Sequence, residues 1–156
     1  MKVFLDSCIF FDYLKDYKTK STIRHAKNNG HKLVTSITVL GEIVSVCVPR
    51  RLQELYDIIE VLKELDVEVI HPQPLPNEPR LSLLRECCMC LDAYHAEEGI
   101  YGSSLTDRTH LAYATMYDCD FFVTSSSEVK ALRTPNDCPR KVEVVDIDSL
   151  RKKLGY

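Results

Sequence analysis

Apolar positions recur along this chain at two spacings, and the alternation between them lays out its elements. Residues 2–5, KVFL, form a short apolar run ending at Asp6, the mark of a strand. From Ser7 to Lys15 the apolar residues fall at 9, 10, 13 and 14, a helical spacing. A polar stretch over 19–30 ends in Asn29-Gly30, a helix stop. HKLVTS, 31–36, reads as a second strand. Thr38 is placed to cap a helix running through Val39, Leu40, Ile43, Val44 and Cys47, and Pro49 ends that helix or starts the next. Over 51–65, Leu52, Leu55, Ile58, Ile59, Leu62 and Leu65 make an amphipathic helix. VEVI, 67–70, is a third strand, and the proline-rich HPQPLPNEP after it is an extended loop within one domain. Helices are predicted over 80–97, stopped by Gly99, and over 104–117. DFFVT, 120–124, is a fourth strand, and a short helix begins in the serine run that follows. VEVVDI, 142–147, is a fifth strand, with Asp148 or Ser149 capping a last helical turn.

Strands that alternate with helices, without hairpin signals, imply a single α/β domain over 1–156 with a parallel β-sheet flanked by helices. Such sheets bind ligands outside the carboxyl ends of their strands. The search for chemistry therefore starts at Asp6, at 36–42 and at 124–128.

Composition narrows the classes. A chain of 156 residues suits one compact domain and needs no covalent staple. No apolar run approaches the ~20 residues of a membrane span. The opening MKVFLDSCIFF turns acidic too soon for a signal peptide, so the expected location is the cytoplasm. The net charge of −3 argues against strong, indiscriminate nucleic-acid binding but leaves room for a local basic patch. The seven cysteines are an odd number, which does not suit a disulfide framework. Cys87 and Cys90 form a C-x-x-C without a second ligand pair at zinc spacing. Leu83, Leu84, Cys87, Cys88 and Leu91 fall on one helix face, so these cysteines read as small core residues.

The acids at the predicted strand ends are the candidate chemistry. Asp6 follows the first strand, Glu42 lies in the helix after the second, and Asp107 lies in the first turn of the helix before the fourth. Ser125, Ser126, Ser127 and Glu128 follow the fourth strand. If strands one, two and four are neighbours, these groups converge on one rim. Clustered carboxylates repel one another unless a cation lies between them, and an all-oxygen set suits Mg²⁺ or Mn²⁺. Each acid also has a plainer reading. Asp6 is placed to cap a helix, and both Ser104-x-x-Asp107 and Ser125-x-x-Glu128 match the capping-box pattern. Glu42 interrupts the apolar ITVLGEIVSVCV, where an unpaired buried acid is costly. His110 reads as packing or surface rather than as a general base.

VFLDSCIFFDYL, VTSITVLGEI and LTDRTHLAYATMYDCDFFVTSS resemble, in order and spacing, the motifs of PIN-domain nucleases. The resemblance covers nearly the whole chain. It implies a PIN-like α/β/α sandwich with an acidic metal site at the strand ends, holding Mg²⁺ or Mn²⁺. Known members include toxin endoribonucleases of toxin–antitoxin pairs and ribosomal-RNA processing enzymes. By resemblance Asp6, Glu42 and Asp107 are the core metal-binding acids, and Thr124 matches the Thr or Ser that ends the fourth strand. Two positions depart from the pattern. Cys8 stands where the family often has Asn, and Ser126 stands where it usually has Asp. Ser126 is a neutral, weaker ligand; Glu128 either supplies the fourth charge or caps a helix.

The resemblance thus implies a metal-dependent endoribonuclease acting on RNA and leaving 5′-phosphate and 3′-hydroxyl ends. Arg108, Lys130 and Arg133 are candidate phosphate contacts, with solvated surface charge as the plainer reading of each, and Thr124 is a further candidate substrate contact. An antitoxin or other protein partner and a homodimer are implied too, with 51–65 or 80–97 as interface or as core. The alternative is a non-catalytic or weakened PIN-like module that binds RNA or protein. A phosphatase on a similar scaffold is a third reading, but the chain has neither a Walker-type loop nor a G-x-S-x-G elbow.

Overall fold

A computed structural model of the chain describes residues 1–71, 80–100, 104–135, 138 and 141–156, with the backbone alone for 80–83. The proline-rich stretch 72–79 lies outside the described residues.

Five short strands form one parallel sheet: β1 (Lys2–Leu5), β2 (Lys32–Ser36), β3 (Glu68–Ile70), β4 (Phe121–Val123) and β5 (Glu143–Val145). Their spatial order is β3-β2-β1-β4-β5, so the central β1 has β2 on one side and β4 on the other. The adjacency that the acids require is therefore present. The strand order also reverses at β1, which makes its carboxyl end the switch point where such sheets keep their ligands.

The apolar runs are buried because helices flank the sheet. Val3, Phe4 and Leu5 are buried, as are Phe121, Phe122 and Val123 beside them. Phe4 and Phe122 are register partners whose stacked rings lie 5.1 Å apart. Such a ring pair contributes about 0.5–1.5 kcal/mol beyond burial. The helices are α1 (Ser7–Lys15), α2 (Tyr17–Asn28), α3 (Ile37–Cys47), α4 (Leu52–Glu64), α5 (Arg80–Glu97), α6 (Leu105–Met116) and α7 (Ile147–Lys153). On α5, Cys87 and Cys88 pack against the core beside Leu84, as their helix-face pattern implies.

Several boundaries differ from the sequence reading, each for a capping reason. The polar stretch after α1 is itself helical from Tyr17, because Asp16 accepts from Thr19 N–H and caps α2. Gly30, at φ +75°, ends that helix, with Gly30 N–H bonded to Lys27 and His31 N–H to Ala26. Ser36, not Thr38, caps α3: its hydroxyl accepts from Val39 N–H and pairs with the Thr38 hydroxyl. The fifth strand stops at Val145, because Asp146 caps α7 by accepting from Ser149 N–H at 2.8 Å. Asp148 and Ser149 lie inside that helix.

Candidate metal centre

Asp6 sits where β1 hands over to α1. Its backbone N–H bonds to Val123 O, which ties this turn to the end of β4. Its side chain is nearly fully buried and accepts three hydrogen bonds. Oδ1 accepts from Ser7 N–H at 2.8 Å, while Oδ2 accepts from the Thr124 hydroxyl at 2.7 Å and the Cys8 thiol at 3.3 Å. Burial by itself pushes this carboxyl up. His110, Thr124 and the Ser7 N–H outweigh it, so the group is held below the usual carboxylate value. Asp6 is thus a fixed anion, although it also occupies the N-cap position of α1.

Two further groups meet Asp6. Glu42 projects from the second turn of α3, and His110 from the middle of α6. One donor atom from each of Asp6, Glu42 and His110 lies within 4.8 Å of the other two, the sole such group among the described residues. His110 is fully buried, with Nδ1 3.4 Å from Asp6 Oδ1. Neither ring nitrogen has a hydrogen-bond partner among the described residues, and buried Glu42 Oε2 has none. Buried polar atoms are rarely left unpaired, and a cation here would pair Glu42 Oε2 and one ring nitrogen of His110 beside the Asp6 carboxylate. The donors fit a divalent ion, but the set is not purely oxygen: His110 adds a nitrogen that sequence reasoning passed over. Residues 110–115 of α6 are all buried, so no amphipathic stripe tells which way His110 points. The available signal was its position three residues after Asp107, on the same helix face.

The other candidates lie elsewhere around this centre. Asp107 forms the capping box of α6: Ser104 N–H donates to its Oδ2 at 2.7 Å, and its own N–H donates to Ser104 Oγ. It does not belong to the 4.8 Å group. Thr124 is the hub of the strand ends, giving its proton to Asp6 and accepting from Ser126 N–H at 3.1 Å. Cys8 accepts from Ser125 N–H at 3.2 Å, and burial pushes its thiol up. The Ser126 hydroxyl accepts from Val129 N–H at 3.4 Å. Glu128 is exposed at the start of a single 3-10 turn, Val129–Ala131, and its side chain makes no cap bond. The Ser125-x-x-Glu128 capping box is therefore absent; Ser126 takes that part.

The three basic candidates are all engaged. Arg108 bonds to Asp92, Lys130 Nζ lies 3.1 Å from Asp146 Oδ2, and Arg133 Nη1 donates to the carbonyls of Lys130 and Leu132. Lys130, Arg133 and Lys141 line a cleft of about 730 Å³ along β5, and none of Asp6, Glu42 and His110 lines it.

No protein-family model and no curated protein sequence matches this chain. Solved structures do. VapBC2 from Rickettsia felis, solved bound to a DNA fragment from its promoter, superposes with a TM-score of 0.69 at 13% identity, covering 94% of this chain and 98% of that one. VapBC-1 from nontypeable Haemophilus influenzae gives 0.65 at 13% identity, with 95% and 99% covered. Mycobacterium tuberculosis VapC20, described as a sarcin-ricin loop cleaving toxin, gives 0.51 at 14% identity, with 77% and 86% covered. Identities this low speak for the fold. The sheet order, the flanking helices and these superpositions together give this chain a PIN-like α/β fold.

Proposed function

We propose that the chain is a metal-dependent endoribonuclease. The observation that carries this reading is the convergence of Asp6, Glu42 and His110 within 4.8 Å at the switch point of the sheet. Asp6 and Glu42 would hold Mg²⁺ or Mn²⁺. Asp107, one helical turn before His110, is the third acid of the proposal; its Oδ1 takes no part in the cap. A bound divalent ion supplies charge neutralisation at a phosphate and lowers the pKa of a coordinated water.

The chain's own groups prepare that chemistry. Ser7, Thr124 and Cys8 aim their donors at Asp6 and orient its carboxylate. Leu5, Ile9 and Val123, neighbours of Asp6 in the chain or through its backbone hydrogen bonds, are buried. Ser126 and Glu128 stay in the proposal as further metal contacts. Thr124 positions Asp6 and, with Lys130, Arg133 and Arg108, belongs to the proposed substrate contacts. The products expected are 5′-phosphate and 3′-hydroxyl ends. Full-length protein should cleave RNA with Mn²⁺, stop with EDTA, and fail as Asp6→Asn. Cleavage that survives EDTA or the substitution would remove the metal mechanism.

A non-catalytic module is the second reading, favoured by one observation. The position where the family carries its fourth acid is Ser126, and the nearby Glu128 is exposed rather than gathered to the cluster. RNA that binds but stays intact under every metal condition would decide for it. Protein partners belong to either reading. An antitoxin is supported by the VapBC complexes among the similar structures. A second copy is supported by exposed apolar residues at helical spacing: Ile37, Val44 and Val48 from α3 into its end, and Leu52, Tyr56 and Ile59 on α4. Sedimentation of the wild type against Val44→Glu tests the second copy. A toxin setting, a ribosomal-RNA processing role and a cytoplasmic location are part of the same proposal; among the described residues no helix is long and apolar enough to cross a membrane.

A further inference from the structure

We propose that His110 is a direct nitrogen ligand, so that Asp6, Glu42 and His110 form a one-nitrogen, two-carboxylate site that takes Mn²⁺ ahead of Mg²⁺. This rests on the nuclease reading of the same site and makes its metal specific. The starting point is an unpaid polar account at the centre of the molecule. His110 is fully buried, and both its ring nitrogens lack partners among the described residues. An unpaired buried donor or acceptor typically costs about 1–3 kcal/mol. A ring held only for packing would be better replaced by an apolar side chain of similar size.

The obvious partner does not resolve this. Asp6 Oδ1 lies 3.4 Å from His110 Nδ1, yet the pair lacks hydrogen-bond geometry. Asp6 is already served by Ser7 N–H, the Thr124 hydroxyl and the Cys8 thiol. Glu42 Oε2, the third member of the group, is buried and unpaired as well. Three side chains from three different helices or strand ends thus present free lone pairs or a ring nitrogen to one space. A cation would pair Glu42 Oε2 and one His110 nitrogen at once beside the Asp6 charge, whereas a proton held between His110 and Asp6 would leave Glu42 Oε2 unpaired.

The donor types then select the ion. Mg²⁺ is hard, prefers oxygen and keeps most of its water. Imidazole suits later first-row ions, and affinity for a mixed nitrogen–oxygen site rises from Mn²⁺ along that row. A buried imidazole in a site of this kind therefore weakens Mg²⁺ relative to Mn²⁺. The nearby thiol of Cys8 lies 3.3 Å from Asp6 Oδ2 as a donor and is not a member of the Asp6, Glu42 and His110 group.

The test uses the full chain, stripped with EDTA and titrated with MnCl₂. Electron paramagnetic resonance counts bound Mn²⁺, and electron spin-echo modulation reads nitrogen bonded to it. The expected result is one Mn²⁺ per chain with a histidine-type nitrogen coupling, and Mg²⁺ that competes only at large excess. His110→Asn should abolish the coupling and lower the Mn²⁺-over-Mg²⁺ preference by about 10-fold or more. His95→Asn, at the other buried histidine, should leave both unchanged. The wild-type spectrum decides alone if His110→Asn does not fold. Bound Mn²⁺ without nitrogen coupling, or a preference unchanged in a folded His110→Asn, overturns the assignment. RNA cleavage by the same sample with Mg²⁺ or Mn²⁺ would then leave the nuclease reading standing, whereas absent cleavage would remove that reading separately.

Discussion

The Thr124 hydroxyl donates a 2.7 Å hydrogen bond to Asp6 Oδ2, joining the ends of neighbouring strands β4 and β1 across 118 positions of sequence. Both residues are buried, so the bond is shielded from water. Hydrogen bonds to charged groups are worth about 1.5–3 kcal/mol. Thr124→Val keeps the shape and removes the donor, and should lower unfolding stability by about that much in urea. Thr124→Ser should retain most of it. An unchanged midpoint in the Val variant would show that Asp6 does not depend on this donor.

Asp107 carries both a structural and a proposed chemical part, and two variants separate them. Ser104→Ala removes one half of the capping box and should cost about 1 kcal/mol without touching a carboxylate. Asp107→Asn keeps a side-chain acceptor for Ser104 N–H but removes the charge. It should lose RNA cleavage while staying closer to wild-type stability. Full cleavage by Asp107→Asn would confine Asp107 to capping.

Asp146 gives the fold a pH signature away from the proposed site. Ser149's backbone and side-chain hydrogen bonds, then Lys130, hold its carboxyl at about 2, below its ordinary 3.8. A depressed folded value means that its stabilisation is present above pH 3.8 and is lost as pH falls toward about 2. Asp146→Ala should cost about 1 kcal/mol at pH 7 as a lost helix cap. The gap between variant and wild type should close across that acid window in denaturant titrations. A gap independent of pH would show that the cap does not act through the ionised form.

Gly41 stands in the exposed face of α3, and an added Cβ there meets nothing within 4 Å. Its backbone is helical, so Gly41→Ala should raise stability by about 0.5–1 kcal/mol in thermal unfolding. A fall would mean that the chain's assembled form brings another surface close to this glycine.

The seven thiols should separate by burial. Cys90 is exposed, whereas burial pushes Cys87 and Cys119 up to about 12. Limited alkylation at pH 8 followed by peptide mass spectrometry should label Cys90 first and the buried Cys47 and Cys119 last. Early labelling of Cys119 would contradict the packing of its loop against the core.

The chain's pattern alone determined much of this protein. Apolar runs at 2–5, 31–36, 67–70, 120–124 and 142–147, separated by helical periodicities, are enough to require a parallel sheet with flanking helices, because both faces of those strands need covering. The same pattern placed Asp6 and Thr124 at strand ends. Cap assignments were less legible, since Ser36 and Thr38, or Asp146 and Asp148, offer similar oxygens a residue or two apart, and backbone geometry chooses between them. The make-up of the candidate site was decided by tertiary structure. Asp6, Glu42 and His110 come from segments that meet only when β1 lies between β2 and β4 and α6 turns its wholly buried centre toward that switch point. A helix buried on all sides leaves no periodic trace of its orientation, so the histidine beside the carboxylates became visible only once the elements were packed.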